Sequence, residues 1–283
     1  MRAIFPNVPV LALTATAPQS TIDAIIRGMQ LEEVRVISVS PNRPNIYYQK
    51  SLRLSKSSGT ASYEKILRPI AMDLKVQRLH YPLTVIYLDL QYCGYAYRLF
   101  ETVLGEEQYA FMNNKVPGHR LFGQYNFPQT GLTKSETLGN LKTLHSFVRV
   151  IFATSSLGMG VDAPEITNIV HIKPPKSLEE YLQMTGRAGR SGAPAKATLY
   201  YCNGDISDNI HHVDDHMKLY CSNQDICLRK LIMDYFGYGY EQQSRCCSVC
   251  DGIEEISENI ERNDAIVEGM AEYFEFMPFD FGN

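Results

Sequence analysis

A chain of 283 residues, 45% apolar and 20% charged, has the make-up of a globular protein with room for two domains. No run approaches the roughly 20 apolar residues that a bilayer-spanning helix needs. The net charge of −4 excludes a global basic field, so any nucleic-acid contact must come from local patches. Seven cysteines, an odd number with four crowded towards the C-terminus, argue for metal binding in a reducing compartment over a disulfide framework.

Arg2, the apolar run Val8 to Ala15 and the small residues Ala15 to Ala17 imitate a signal peptide, but Pro6 and Pro9 break the run and it is short. The same residues read better as a buried strand from Val8 to Thr14, with Thr16 capping a helix that starts near Pro18. Ile22, Ile25, Ile26 and Met29 give that helix an apolar face. Val34 to Val39 has a strand pattern, and Asn42 to Asn45 reads as a turn and linker because Pro44 forbids a continuous helix. Lys56 to Ser62 is a small-residue loop. A helix follows over Tyr63 to Leu79, with Ile66, Leu67, Ile70 and Leu74 inward. Leu83 to Leu88 is a buried strand, and Asp89 to Leu104 a crossover helix with Tyr92, Tyr95, Ala96 and Leu99 on one side. Residues 105 to 132 are rich in Gly and aromatics, and Thr133 to Phe147 reads as a helix.

Val148 to Ala153 is an apolar run suited to a buried parallel strand, followed by the small, flexible stretch Thr154 to Gly160. Ile166 to Ile172 is a second such strand. Ser177 with Glu180 three residues on is a capping box for the next helix, whose Leu178, Tyr181, Leu182 and Thr185 form a core-facing stripe. Gln183, Arg187 and Arg190 would share the opposite face. Two adjacent arginines repel and two glycines weaken a helix, so the pattern favours a bound phosphate over a solvated helix end. Ala197 to Tyr201 completes alternating βα units, which imply an α/β fold with a parallel, doubly wound sheet and function at the strand C-terminal ends.

Two stretches, TSSLGMGVDAP at 154 to 164 and QMTGRAGRSG at 183 to 192, resemble motifs V and VI of RecQ-family ATP-dependent DNA helicases, and LALTATAP at 11 to 18 resembles motif III. The strand at Leu83 to Leu88 resembles motif IV. The resemblance implies a RecA-like fold followed by a small helical zinc-binding subdomain. It divides the chain into residues 1 to 45 (end of a first RecA-like domain and linker), 46 to 205 (second RecA-like domain), 206 to 252 (zinc-binding subdomain) and 253 to 283 (acidic tail). It also implies ATP-dependent 3′-to-5′ DNA unwinding in repair and recombination, with single-stranded and forked DNA as partners, in the nucleus or a nucleoid. ATP and Mg²⁺ would need the GxxxxGK[ST] loop and acidic DExH box of a first domain. Neither occurs here, so the chain is read as lacking the N-terminal half of the motor and as inactive alone.

By the same resemblance Arg190 is the arginine finger, Arg187 binds the γ-phosphate and Gln183 accompanies them. Gly160 and Asp162 face the nucleotide, although an Asp before Ala-Pro also serves simply to stabilise a turn. Thr154, Ser155 and Gly158 would hold DNA phosphates, while Thr14 and Thr16 couple the ATP site to the DNA track. His119 is the candidate for a His-containing segment that relatives carry hereabouts. Cys247 and Cys250 have zinc-knuckle spacing and Cys227, at the start of an amphipathic helix, is a third thiolate. The family pattern needs a fourth. Cys246 is the candidate, but adjacent ligands are awkward, and Cys221 or a His remains open. After Asp251 the sequence is acidic and only intermittently apolar, the pattern of a weakly folded tail. Two rival readings are a non-catalytic nucleic-acid-binding module and an RNA helicase, the latter disfavoured by the cysteines after the motor.

Overall fold

The computed structural model describes residues 8–14, 16–126, 139, 146–158, 165–240 and 246–252. Most of the helix expected at Thr133 to Phe147, the residues Gly160 and Asp162, and the acidic tail lie outside them; Ser146 and Phe147, at the end of that expected helix, are not helical. Met1–Asp251 forms one compact unit.

Among the described residues, six strands form one sheet in the order β1-β6-β5-β2-β4-β3: β1 (Ile46–Leu52), β2 (Thr84–Tyr87), β3 (Phe122–Tyr125), β4 (Val150–Ala153), β5 (Asn168–His171) and β6 (Ala195–Tyr201). Every pairing is parallel, with Val85 opposite both Ile151 and Ile169. Period-two alternation then sends neighbouring residues to opposite faces. Val85, Tyr87, Ile151 and Ala153 enter one core, and Ile86, Val150 and Phe152 the other. That is why these strands read as continuous apolar runs.

Helices α2 (Thr60–Gln77) and α3 (Leu90–Leu104) cover the second face, and α4 (Leu178–Thr185), α5 (Asp215–Ser222) and α6 (Leu228–Tyr235) contribute to the first. The expected stripe on α4 is buried throughout. Ser177 Oγ accepts from Glu180 N at 3.2 Å, while the Glu180 carboxylate accepts from Lys176 N at 2.8 Å, a capping box displaced by one residue. On α2, Ile66, Leu67 and Leu74 are buried and Ile70 is half-buried.

Several details differ from the sequence reading. Of the segment at Val8 to Thr14, no described residue is in a strand, and Leu11 and Leu13 are more than four-fifths exposed. Val34 to Val39 is likewise irregular and exposed. A strand needs a ladder partner, and neither segment pairs with one among the described residues. Thr16 does not cap helix α1 (Gln19–Met29), which starts after Pro18 with no side-chain cap. Two strands were not anticipated: β3, inside the Gly- and aromatic-rich stretch, and β1, which begins directly after the Asn42–Asn45 turn.

The first core contains an aromatic chain. Tyr87 and His171, at the ends of β2 and β5, stack at 4.8 Å and 17°; His171 lies 5.2 Å from Tyr181, and Tyr181 5.2 Å from Tyr220. His171 is 1% exposed and its Nε2 has no hydrogen-bond partner among the described residues. Burial therefore drives its pKa down to about 3 from the ordinary 6.5. Between those values the unfolded chain binds the extra proton and the folded chain does not, so stability falls as pH drops below 6.5. The loss attributable to His171 between pH 7.5 and 5.5 should be on the order of 1 kcal/mol. Denaturant titrations at the two pH values should show His171→Phe removing that part of the acid sensitivity; an unchanged difference between them would refute it.

Candidate nucleotide-facing and metal sites

α4 stops at Thr185, with Gly186 as its C-cap. Arg187 and Arg190 therefore do not ride on the helix with Gln183, as the sequence spacing suggested; they sit in the turns that follow it. The local cause is visible at two glycines. A Cβ on Gly186 would lie 2.9 Å from the Leu182 carbonyl oxygen. Gly189 has φ +58°, and a Cβ there would lie 2.3 Å from Asn45 Nδ2 and 2.6 Å from the Ala193 oxygen. Residues with side chains cannot make this turn without displacing what closes it.

The Gly189 amide donates to Ile166 O at 2.7 Å, just before β5, and the Ala195 amide donates to Asn45 O at 2.8 Å, just before β1. The turn thus lies at the N-terminal ends of the strands, not at the C-terminal ends expected from the sheet type. Arg187 is 4% exposed. Burial is the main influence lowering its pKa, with the Tyr87 hydroxyl raising it and the nearby Arg190 charge lowering it further. Gln183 and Arg190 are exposed.

Despite leaving the helix, the three side chains stay together. Gln183, Gly186, Arg187 and Arg190 line a cavity of about 1070 Å³, shared with Thr14, Thr16, Arg43 and residues of α1. The cavity is lined largely by apolar residues and by Glu32 and Glu33, so the donors best suited to a polyanion are those of the wall that holds the exposed Arg190 and the buried Arg187. Thr154 and Ser155, by contrast, follow the C-terminal end of β4, where Thr154 is half-buried and Ser155 exposed. A single 3-10 turn spans Ser155–Gly158. The structure therefore places Thr154 and Ser155 at the opposite strand end from the arginines, while Thr14 and Thr16 line the same cavity as the arginines. His119 lies beside the start of β3; its ring makes edge contacts with Phe111 and Phe147 at 5.1 and 5.3 Å.

Cys227, Cys246, Cys247 and Cys250 bring their sulfurs together within 4.8 Å of one another. The individual separations are 3.4 Å (Cys227–Cys246), 3.7 Å (Cys246–Cys250), 3.9 Å (Cys227–Cys247) and 3.5 Å (Cys247–Cys250). A tetrahedron of thiolates bound at about 2.3 Å has edges of roughly 3.8 Å, so the donor set fits Zn²⁺. Burial pushes the Cys227 thiol up to about 11 and also raises Cys250, whereas at Cys246 burial is outweighed by hydrogen bonds from Tyr240 and the neighbouring thiols and by the Arg229 charge, which lower its pKa.

Adjacent Cys246 and Cys247 can both face inwards because the knuckle is pinned to the sheet edge. Tyr48 N donates to Cys246 O at 3.4 Å and Ser248 N to Tyr48 O at 2.9 Å, which makes the knuckle a bridge partner of β1. Cys221 stands outside the cluster, buried on α5, where its carbonyl accepts from Lys50 Nζ at 2.8 Å.

Four polar residues were missed in the sequence. Lys50, on β1, is 8% exposed, and burial lowers its pKa to about 8. Arg229, on α6, is 2% exposed with its guanidinium 5.1 Å over Tyr48. Arg43 and Asn45 belong to the stretch read as a linker. The available signal was weak: an Arg beside a Lys at the start of an amphipathic helix, and an Arg and two Asn around Pro44.

The sequence of residues 106–192 matches the helicase conserved C-terminal domain. ATP-dependent DNA helicase Q1 of Rattus norvegicus is 29% identical over 256 residues, covering 87% of this chain and 37% of that protein. ATP-dependent helicase SGS1 of Saccharomyces cerevisiae is 27% identical over 265 residues, covering 87% of this chain and 16% of that protein. The chain thus spans less than two fifths of either relative. Among solved structures, S. cerevisiae Dbp5 bound to RNA and ADP BeF3 superposes with a TM-score of 0.52 at 13% identity, over 80% of this chain and 49% of that one, a likeness of fold alone. With a parallel six-stranded sheet, a match to the helicase conserved C-terminal domain over residues 106–192 and RecQ-type relatives aligned along most of its length, the chain is similar to the RecQ-family helicases.

Proposed function

We propose that this chain provides the second motor domain, over residues 46 to 205, and the zinc-binding subdomain, over 206 to 252, of a RecQ-type DNA helicase. The observation that carries the reading is the convergence of Gln183, Arg187 and Arg190 with Thr14 and Thr16 on one cavity. Arg190, exposed at its rim, is the residue suited to reach the charge that develops on a transferring phosphoryl group. Arg187, buried behind it, contributes a fixed positive charge. Gly160 and Asp162 complete the nucleotide side by resemblance. Thr154, Ser155 and Gly158, at the other end of the strands, are assigned to single-stranded or forked DNA. In this arrangement a hydrolysable nucleotide and a DNA strand occupy opposite ends of one sheet, with ATP and Mg²⁺ supplied with phosphate ligands by a domain bearing GxxxxGK[ST]. Unwinding runs 3′ to 5′ and serves repair and recombination in the nucleus, as the resemblance implies.

Zinc held by Cys227, Cys246, Cys247 and Cys250 supplies structural cross-linking, not chemistry, since four thiolates leave no open position. The chain's own residues then fix the knuckle against β1 and α6 against the Asn42–Asn45 turn.

Two measurements check this. The purified chain should show no appreciable DNA-stimulated ATP hydrolysis, because the phosphate-cradling loop is not in its sequence; robust turnover abolished by Arg190→Ala would overturn that expectation. Native protein should contain about one zinc per chain. Chelation should release it and unfold the α6–knuckle region, which exchange of the Tyr48 and Ser248 amides would register. Zinc-free native protein with those amides still protected would remove the metal assignment.

A further inference from the structure

The turn that carries the arginines has a weakness that distant residues correct. Helix α4 ends at Thr185, so the carbonyls beyond it lack helical partners. Glycines at 186, 189 and 192 give the backbone more freedom than most turns have. Left alone, such a segment would sample many conformations, and the two arginines with it.

Arg43, 143 residues or more away in sequence, closes it. Its Nη1 donates to Gly186 O at 3.0 Å, and its Nη2 donates to Ala188 O at 3.1 Å and Gly189 O at 2.7 Å. Asn45 Nδ2 adds bonds to Gly189 O and Ala193 O, each at 2.8 Å. The forked guanidinium geometry matters, because one side chain spans three carbonyls along a curved backbone and a lysine offers only a point of charge. Arg43 is itself held. Arg229 donates to Arg43 O at 2.6 Å and to Asn42 Oδ1 at 2.9 Å, and also to Ile46 O.

We propose that Arg43 is a positioning residue for the Arg187–Arg190 pair: it clamps the backbone of their turn from beneath, anchored by Arg229, and so presets the arginines for a polyphosphate. This rests on the reading of those arginines as phosphate-binding. Because Arg43 also lines the cavity, direct phosphate contact is the rival role, and the lysine variant separates the two.

The test uses the full chain, with inorganic tripolyphosphate as probe, comparing wild type with Arg43→Lys, Arg43→Ala and Arg190→Ala. Affinity is read by calorimetry and amide exchange by mass spectrometry. Both Arg43 variants should lose about tenfold in affinity, the lysine no better than the alanine, and amides over 186–192 should exchange about tenfold faster while those of β2 and β4 stay unchanged. Wild-type affinity in Arg43→Lys would overturn the proposal in favour of direct contact. Unchanged exchange over 186–192, or exchange raised equally throughout the sheet, would overturn it as well. If wild type fails to bind tripolyphosphate, or Arg190→Ala binds as wild type does, the phosphate reading of the arginines fails, and the exchange data still decide whether Arg43 clamps the turn.

Discussion

Arg229 occupies a position where a charge survives only because acceptors meet both of its terminal nitrogens. Burying a guanidinium without partners is prohibitive. Here the carbonyls of Arg43 and Ile46, the Asn42 side chain and the face of Tyr48 surround it. Those partners belong to the turn entering β1 and to β1 itself, while Arg229 belongs to the helix that starts beside Cys227. The result is a continuous set of polar contacts from the cysteine cluster, through the Asn42–Asn45 turn, to the arginine turn after α4. What looks like a linker in the sequence is the place where three parts of the unit meet.

This arrangement gives the arginines their mixed character. Arg187 is buried against the end of the aromatic chain, with the Tyr87 hydroxyl beside its charge, and Arg190 is exposed. A rigid inner cation and a reachable outer one suit a site where charge must already be placed before a ligand arrives, because reorganising it at the moment of reaction would cost more than it returns. The sheet separates this site from Thr154 and Ser155 by the length of its strands. A domain with different ligands at its two strand ends can respond to one through a shift in the other, provided the elements between them move as a body.

Much of the fold was legible. Val85 to Tyr87, Val150 to Ala153 and Asn168 to His171 are short apolar segments bounded by polar or glycine-rich stretches, and strands buried on both faces read that way. The α4 stripe and Ser177 cap were equally plain. β1 was missed because its inward residues are Ile46, Tyr48 and the charged Lys50 while the aromatic Tyr47 lies between them, so the sequence shows no clean apolar–polar alternation. Val8 to Thr14 and Val34 to Val39 misled in the opposite direction. Their composition suits strands, but composition cannot supply a neighbour with which to exchange hydrogen bonds. The helix bearing Gln183 was extended too far for a related reason: four- and three-residue spacings fit a helix, yet Gly186 and Gly189 also permit the tight turns that the contacts with Asn45 select.

The sequence by itself determined which residue types were available for chemistry: the Gln183, Arg187 and Arg190 group, the motif III threonines, and four cysteines with metal-ligand character. It did so because side-chain chemistry and short-range periodicity are local properties. Only the tertiary structure decided that Cys246, not Cys221, joins the sulfur cluster, since that depends on the knuckle pairing with Tyr48. Only the tertiary structure, too, placed the arginines in a turn at the N-terminal ends of the strands and bound that turn to Arg43. Such assignments rest on carbonyl groups, which every residue carries alike, and on bonds between residues more than 140 positions apart. A sequence pattern holds no record of which backbone oxygens are left without a partner until the chain has folded.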